Sequence, residues 1–508
     1  MCCDHLNRRS FFGLTTRIMV GAGLFHPSML YSAEKMEWDS DGWNPEEPFR
    51  ATGKMLRVQP VLMYRVAERR EASSWKSWGG IQTDQAASEE MDRISKELNS
   101  LSTNARFPLE ILPAIKIKTE SEATEVGKSD YDVLLLYPAT GSGRLFQACV
   151  SNRGDQIIFV RHRSGPIYYW YEALSVQYLS TNDEELPQRA VSVHDVVVDD
   201  YHDLLWRLRA LYGVKNFIGS RIVALGGAGG KYSPEAPKIA WEKYKIKIIE
   251  VGYDAIGPRI QRTLTDGGSV SRAEKWTDRY LSIANTALMT DKKFVVNAFL
   301  LYAIIKNVMR DNDARAFTIK DCMQTIMPMA HTTACLALSL LNDEGLLAFC
   351  ESDFVIIPGG ILLHHISGKP VFLHNSTFPH DGVVTCAHCT APRRMDGARY
   401  EPAKIMTHYE SEYGAAPKVE MPEGQEVTFI DPEYSTGRWV GFKGRVKSNP
   451  FYEICRSQQD VEIQGDWRKL VREVRDSHWV MAYGDYLKEV EYAARKIGVR
   501  WENISRIL

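Results

Sequence analysis

Strand-like apolar runs alternate with helical patterns along most of the chain, and this alternation constrains the fold more than any other feature of the sequence. The strand-like runs are residues 54–64, 131–137, 156–161 and 221–225. Helical patterns separate them, for example at residues 84–99 and 199–212. Further along, residues 317–322 are interpreted as a short connector and residues 325–342 as a helix. Strands that alternate with helices in this way predict parallel sheets.

The pattern changes after residue 400, where short alternating segments predict antiparallel strands in a small β-subdomain or barrel. We therefore predict an α/β protein in which Rossmann-like parallel-sheet N-terminal and middle domains precede a C-terminal domain that contains this β-subdomain. A chain of 508 residues is long enough for two or three such domains. The predicted domains are residues 54–215, 216–345 and 346–508.

The N-terminal segment has the pattern of an export signal. Arg8 and Arg9 are followed by a mildly apolar stretch that ends at Ala33, which predicts a twin-arginine signal over residues 1–33 and a periplasmic or otherwise exported protein. The alternative is an ordinary terminus with a chance arginine pair. Residues 34–53, rich in Trp, Pro and acids, are interpreted as an arm or linker. No other run approaches the roughly 18 apolar residues of a membrane span, so none is expected in the mature chain.

Composition narrows the classes of partner. A formal net charge of −2 gives no electrostatic footprint for nucleic acid, so polynucleotide partners are not expected. The nine cysteines are scattered and form no paired framework. Cys386 and Cys389 flank His388 as half of a zinc motif, but no second Cys/His pair follows at finger spacing, so structural zinc is not predicted there.

Polar side chains are concentrated between apolar runs from residue 348 to 391. Residues 348–350 are a predicted strand, 353–366 a helix and 370–373 the next strand. A right-handed crossover would make the two strands parallel neighbours. Glu351 and Asn375, which follow these strands, would then face the same crevice.

The segments CESD (350–353), GKPVFLHN (368–375), AHC (387–389) and DSHWVMAYGD (476–485) resemble the C-terminal region of the L-fucose isomerase-like sugar isomerases, which are related in fold to arabinose isomerase. The resemblance extends from about residue 318 to the end. It implies a divalent metal, usually manganese, held by Glu351 and His478, with Asn375 where the family has an Asp ligand. It also implies a sugar substrate, aldose-ketose isomerisation with proton transfer by acids, and homo-oligomers of three or six subunits.

Asn375 is the departure that matters most, because an amide keeps one ligand oxygen but loses a negative charge and should weaken metal binding. Glu351 beside a metal could still act as the base of an ene-diol mechanism. The alternative for Glu351 is an acid that stabilises a helix N-terminus, and for His478 a purely structural histidine.

Four further side chains are candidate substrate contacts: His374, His388, Asp381 and Arg394. The alternative for His388 is a hydrogen-bonded core histidine, and for Arg394 a solvated surface position. The aromatic run at 168–171 is assigned to packing in preference to sugar stacking.

The glycine cluster at 226–231 matches neither phosphate-binding motif and is interpreted as a tight turn. A further alternative has this turn lining the sugar site from the neighbouring domain.

Two classes of function remain. The first is an exported, metal-dependent sugar isomerase-like enzyme. The second is a carbohydrate-binding or carbohydrate-processing protein that has the same fold but does not catalyse the isomerase reaction. Asn375 and the export signal are the reasons to retain this alternative.

Overall fold

The computed structural model describes residues 42–49, 53–151, 153–168, 178–179, 191–433, 437–473 and 476–506. The predicted export signal, most of the predicted arm and residues 169–171 lie outside this part of the chain. Within the arm, Trp43 is buried and packs edge-on against Tyr280 and Phe299.

The first part of the chain forms a six-stranded, wholly parallel sheet, as predicted. Its strands are β1 (Leu56–Met63), β2 (Leu109–Ile111), β3 (Ile115–Ile117), β4 (Val133–Pro138), β5 (Asp155–Val160) and β6 (Val196–Val198). The order is β2-β1-β4-β5-β6, with β3 also paired to β1. The helices of this part are α1 (Asp84–Asn104), α2 (Glu120–Val126), α3 (Gly143–Val150) and α4 (Tyr201–Phe217).

A second parallel sheet has four strands in the order β11-β10-β7-β8. They are β7 (Arg221–Leu225), β8 (Lys247–Val251), β10 (Ala316–Ile319) and β11 (Leu347–Phe349). Its helices are α5 (Ala236–Tyr244), α6 (Tyr253–Thr265), α7 (Gly267–Leu281), α8 (Lys292–Asp311), α9 (Met327–Ala330), α10 (Cys335–Asp343) and α11 (Ile357–Ser367).

Two sequence predictions for this part are wrong. The short connector predicted at 317–322 contains the buried strand β10, which lies between β7 and β11. The single helix predicted at 325–342 is divided into α9 and α10, because His331 adopts a left-handed conformation with φ of 50° that interrupts the helical path.

The last part forms the predicted antiparallel β-subdomain, and it closes into a barrel of six strands. In order around the barrel they are β16 (Glu426–Pro432), β19 (His478–Tyr483), β12 (Phe372–Ser376), β13 (Val383–His388), β18 (Ser457–Gln464) and β17 (Arg438–Ser448), and β17 pairs back to β16. A seventh strand, β20 (Arg500–Asn503), adds to β17 in parallel. The helices here are α12 (Trp467–Glu473) and α13 (Leu487–Lys496).

The barrel corrects the predicted crossover. β12 belongs to the barrel, where it pairs antiparallel with β13 and β19, and is not a parallel neighbour of β11. A small sheet of β9 (Thr286–Leu288), β14 (Ala403–Met406) and β15 (Ala416–Val419) links the second sheet's helices to the barrel region.

Close contacts join the parts. Helices α4 and α11 pack through Gly213, where an added Cβ would lie 2.4 Å from Ile366 Cγ1. Lys496 of α13 pairs with the buried Asp195 (2.8 Å) and with Asp155 of the first sheet (3.5 Å). None of the described helices has the length and hydrophobicity needed to cross a membrane.

Candidate metal centre

A strained turn follows strand β11 and presents the first candidate ligand. Glu351 and Ser352 both have positive φ, 64° and 51°, a conformation that costs a residue with a Cβ roughly 1–2 kcal/mol. The Ser352 hydroxyl donates to the Gly227 carbonyl at 2.7 Å, and Gly229 pairs with Asp353 in an isolated bridge. The glycine loop after β7 therefore holds the turn in place.

The barrel supplies the other side of the centre. His478 is the first residue of β19 and lies opposite Asn375 of β12, which in turn lies opposite Ala387 of β13. His388 ends β13. Neighbouring strands thus bring three predicted site residues to one end of the barrel, where the turn at Glu351 meets them.

His478 is oriented by two carboxylates. Its Nδ1 donates to Asp353 Oδ2 at 2.7 Å, and its Nε2 lies 3.3 Å from Glu351 Oε2. Asp353 is held in turn by the backbone amides of Lys231 and Val355, at 3.0 and 3.1 Å from Oδ1. An imidazole that donates one ring nitrogen to a carboxylate while the other points into a site has the arrangement of a metal-ligating histidine.

His388 completes the group. It is buried, its Nδ1 lies 3.1 Å from Thr390 Oγ1, and its Nε2 lies 3.5 Å from Glu351 Oε1. That Nε2 atom is buried and forms no hydrogen bond within the described residues. Ligand atoms of Glu351, His388 and His478 all lie within 4.8 Å of one another.

This donor set fits a divalent cation. One carboxylate and two imidazoles suit ions such as manganese, iron or zinc. The Glu351 side chain is 43% exposed whereas both imidazoles are buried, so the centre opens to solvent on the carboxylate side. Three protein ligands with an open side are typical of catalytic rather than structural metal sites.

The charges at the centre shift the pKa values of two groups. Burial lowers the pKa of His478, but hydrogen bonds to Asp353 and Glu351 dominate and raise it from 6.5 to about 9. Burial would raise the pKa of Glu351, but contacts with His388 and His478 hold it well below its usual range. Glu351 is therefore an ionised carboxylate at any physiological pH.

Lys231 is a site residue that the sequence analysis did not identify. It ends the glycine loop, its Nζ donates to Asn375 Oδ1 at 3.3 Å, and the same Nζ lies 3.2 Å from His478 Nε2. The alternative in which this turn lines the site agrees with these contacts. The Lys231 side chain makes them, since its backbone amide is bonded to Asp353. The clue in the sequence was a lysine at the end of the glycine-rich loop that follows the buried strand β7.

Three predicted substrate contacts, His374, Arg394 and Asp381, are not part of this ligand group. His374 is fully buried among Phe372, Phe429 and Trp479, and burial lowers its pKa to about 3, so it is a neutral core histidine.

Arg394 is buried, so the alternative of a solvated surface position is wrong. Its backbone amide donates to Asp343, and its guanidinium is bonded within the protein to the Glu47 carbonyl. Asp381 is exposed, with φ of 48°, in the turn between β12 and β13.

No family model matches the chain, and neither does any curated protein. The resemblance to sugar isomerases therefore rests on the motifs that carry Glu351, Asn375, His388 and His478.

Proposed function

We propose that the protein is a metal-dependent, sugar isomerase-like enzyme with the fucose isomerase-like fold, in which Glu351, His388 and His478 hold a divalent cation, with manganese the first candidate. The convergence of these three side chains from the β11 turn, β13 and β19 carries the proposal. Asn375, the ligand that the resemblance implies, lies beside them but is bonded to Lys231.

The protein residues would divide the reaction between them. A bound metal would polarise two neighbouring oxygens of the sugar. Glu351, as the solvent-facing carboxylate, would take the proton from the carbon beside the carbonyl and return it to the carbonyl carbon, while the hydroxyl proton would pass to the former carbonyl oxygen. Lys231 Nζ would donate a hydrogen bond to a sugar oxygen, and Asp353 would keep His478 in one orientation.

The test is turnover with proton exchange. The purified full chain, loaded with Mn²⁺, is incubated in D₂O with a panel of aldoses and ketoses and followed by NMR. We expect interconversion of one aldose-ketose pair with deuterium at the transferred position. Glu351→Gln should abolish both signals, whereas Glu423→Gln, in an exposed turn, should not. Absence of bound metal and of turnover in the wild-type protein would contradict the proposal.

The second candidate is a carbohydrate-binding or carbohydrate-processing protein that does not need a metal. The Lys231 ammonium favours it, because a cation already lies between the Asn375 amide and His478 Nε2. Lys231→Met separates the candidates. Removing a like charge should tighten Mn²⁺ binding at a metal centre by about tenfold or more. If the ammonium itself binds the ligand, the same change should abolish sugar binding and leave the protein without metal.

We also propose export by the twin-arginine route and assembly into trimers or hexamers. Lys substitutions at Arg8 and Arg9 should leave the protein in the cytoplasm, whereas Arg17→Lys should not. A monomer in analytical ultracentrifugation would contradict the assembly.

A further inference from the structure

A second group of ligand-bearing side chains lies apart from the Glu351 centre. Cys335 is the first residue of α10, Cys389 directly follows β13, and His408 lies two residues after β14. Two sulfur atoms and one imidazole nitrogen from these residues lie within 4.8 Å of one another. All three residues are buried, at 3%, 2% and 7% exposure, so solvent has little access to the group.

A third thiol adjoins the group. Cys455, two residues before β18, packs against the buried cluster of Cys335, Cys389 and Ala416. His408 Nδ1 lies 3.3 Å from Ser411 Oγ, a contact of the kind that orients a metal-ligating imidazole. Two thiols and one oriented imidazole thus face one small volume, and the Cys455 thiol lies beside it.

The spacing suits a tetrahedral metal. With Zn–S bonds of about 2.3 Å, ligand atoms at the corners of a tetrahedron are separated by about 3.8 Å. The ligand atoms of Cys335, Cys389 and His408 lie within 4.8 Å of one another and need only a small contraction to reach this value, and the neighbouring Cys455 would supply the fourth corner. Thiolates are soft ligands that select zinc over manganese or magnesium, in contrast to the carboxylate and imidazoles of the Glu351 centre.

We propose that Cys335, Cys389, Cys455 and His408 form a structural zinc site, separate from the Glu351 centre. The zinc would join helix α10, which packs on the second parallel sheet, to the barrel strands β13 and β18 and to strand β14 of the three-stranded sheet. Because Cys389 directly follows His388, the zinc also fixes the end of β13 from which His388 faces Glu351. Closed coordination by four protein ligands gives the ion a structural role.

The test isolates this site from the other centre. The full chain is prepared with Glu351→Gln and His478→Asn, which removes two ligands of the first centre, and its metal content is measured by mass spectrometry. We expect about one zinc per chain after dialysis. Adding Cys335→Ser or Cys389→Ser should remove that zinc. Cys386→Ser is the matched control, since Cys386 is equally buried on β13 but lies outside the group.

A second measurement needs no substitution in the group. The same chain, loaded with Co²⁺, should show thiolate-to-cobalt charge-transfer absorption, which carboxylate and imidazole ligands do not produce. Zinc-free protein whose Co²⁺ form lacks these bands would overturn the proposal. So would an intact mass lower by two hydrogens, because it would reveal a disulfide in place of thiolate ligands.

Discussion

At the scale of single residues, Asp353 determines what His478 can do. Asp353 accepts a hydrogen bond from His478 Nδ1, and this bond directs His478 Nε2 at Glu351. Asp353 is itself fixed by two backbone amides, one of them from the glycine loop. Glu351, Asp353 and His478 therefore form one electrostatic unit, and a change at Glu351 or Asp353 alters the pKa of His478.

The raised pKa of His478 predicts a pH dependence of stability in metal-free protein. The charged imidazole stabilises the fold fully below pH 6.5, and this contribution is lost as pH rises through about 9. The loss should be about 3 kcal/mol at most. Urea unfolding between pH 6 and 9.5 in chelator measures it. A wild-type curve that does not fall more steeply than that of His478→Gln would contradict the prediction.

Asn375→Asp should restore a carboxylate to the centre. We expect Mn²⁺ affinity to rise by at least about tenfold, because a hard cation gains a charged oxygen ligand. Isothermal titration calorimetry measures the change. Asn99→Asp, an equal charge change on the exposed face of α1, is the control. If Asn375→Asp does not raise the Mn²⁺ affinity of the Lys231→Met variant either, position 375 does not reach the metal.

At the scale of elements, the sequence predicted which segments form strands better than how they pair. The parallel sheets and the antiparallel barrel follow from hydrophobic periodicity. The run 370–373 was correctly predicted as a strand, but nothing in four apolar residues specifies whether the partner is β11 or β19. The crossover rule holds only within one sheet, and β12 leaves the sheet of β11.

The site was predictable only in part for the same reason. Glu351 and His478 could be found because they lie in recognisable motifs. The contacts of Lys231 with Asn375 and His478 join residues more than a hundred positions apart, and no local pattern encodes them. Asp353 was assigned to a helix N-terminus, and its bond to His478 emerged only from the meeting of the β11 turn with the barrel.

The α4–α11 contact gives a prediction at this scale. Gly213→Ala should destabilise the protein by about 1–3 kcal/mol, because the added methyl would overlap Ile366 between two tightly packed helices. Chemical denaturation measures the effect. Gly267→Ala is the control, since a Cβ there meets nothing within 4 Å and should be neutral or slightly stabilising. Equal stabilities of the two variants would contradict the close packing.

At the scale of the whole molecule, helix α13 connects the C-terminal part to the first sheet. Lys496 lies between Asp155 and the buried Asp195, and Tyr492 donates to Asp195 at 2.5 Å. A buried carboxylate that loses its cation is strongly destabilising. The stability of the first sheet is therefore coupled to that of the C-terminal helix.

Lys496→Met should lower the free energy of unfolding by about 3 kcal/mol, because it keeps the aliphatic stem but leaves Asp195 uncompensated. Differential scanning calorimetry measures the loss. Lys488→Met, on the exposed side of the same helix, should change stability by less than about 0.5 kcal/mol. If both variants melt like the wild type, the ion pair does not join these parts.

The adjacency of His388 and Cys389 at the end of β13 also affects how chelation experiments should be interpreted. The end of β13 contributes the His388 nitrogen to the Glu351 centre and the Cys389 sulfur to the proposed zinc site. Under the proposed function, a chelator such as EDTA would inactivate the protein by two routes: it would remove the metal from the Glu351 centre, or it would release the segment that positions His388. Recovery with manganese alone identifies the first route, whereas recovery that also requires zinc identifies the second.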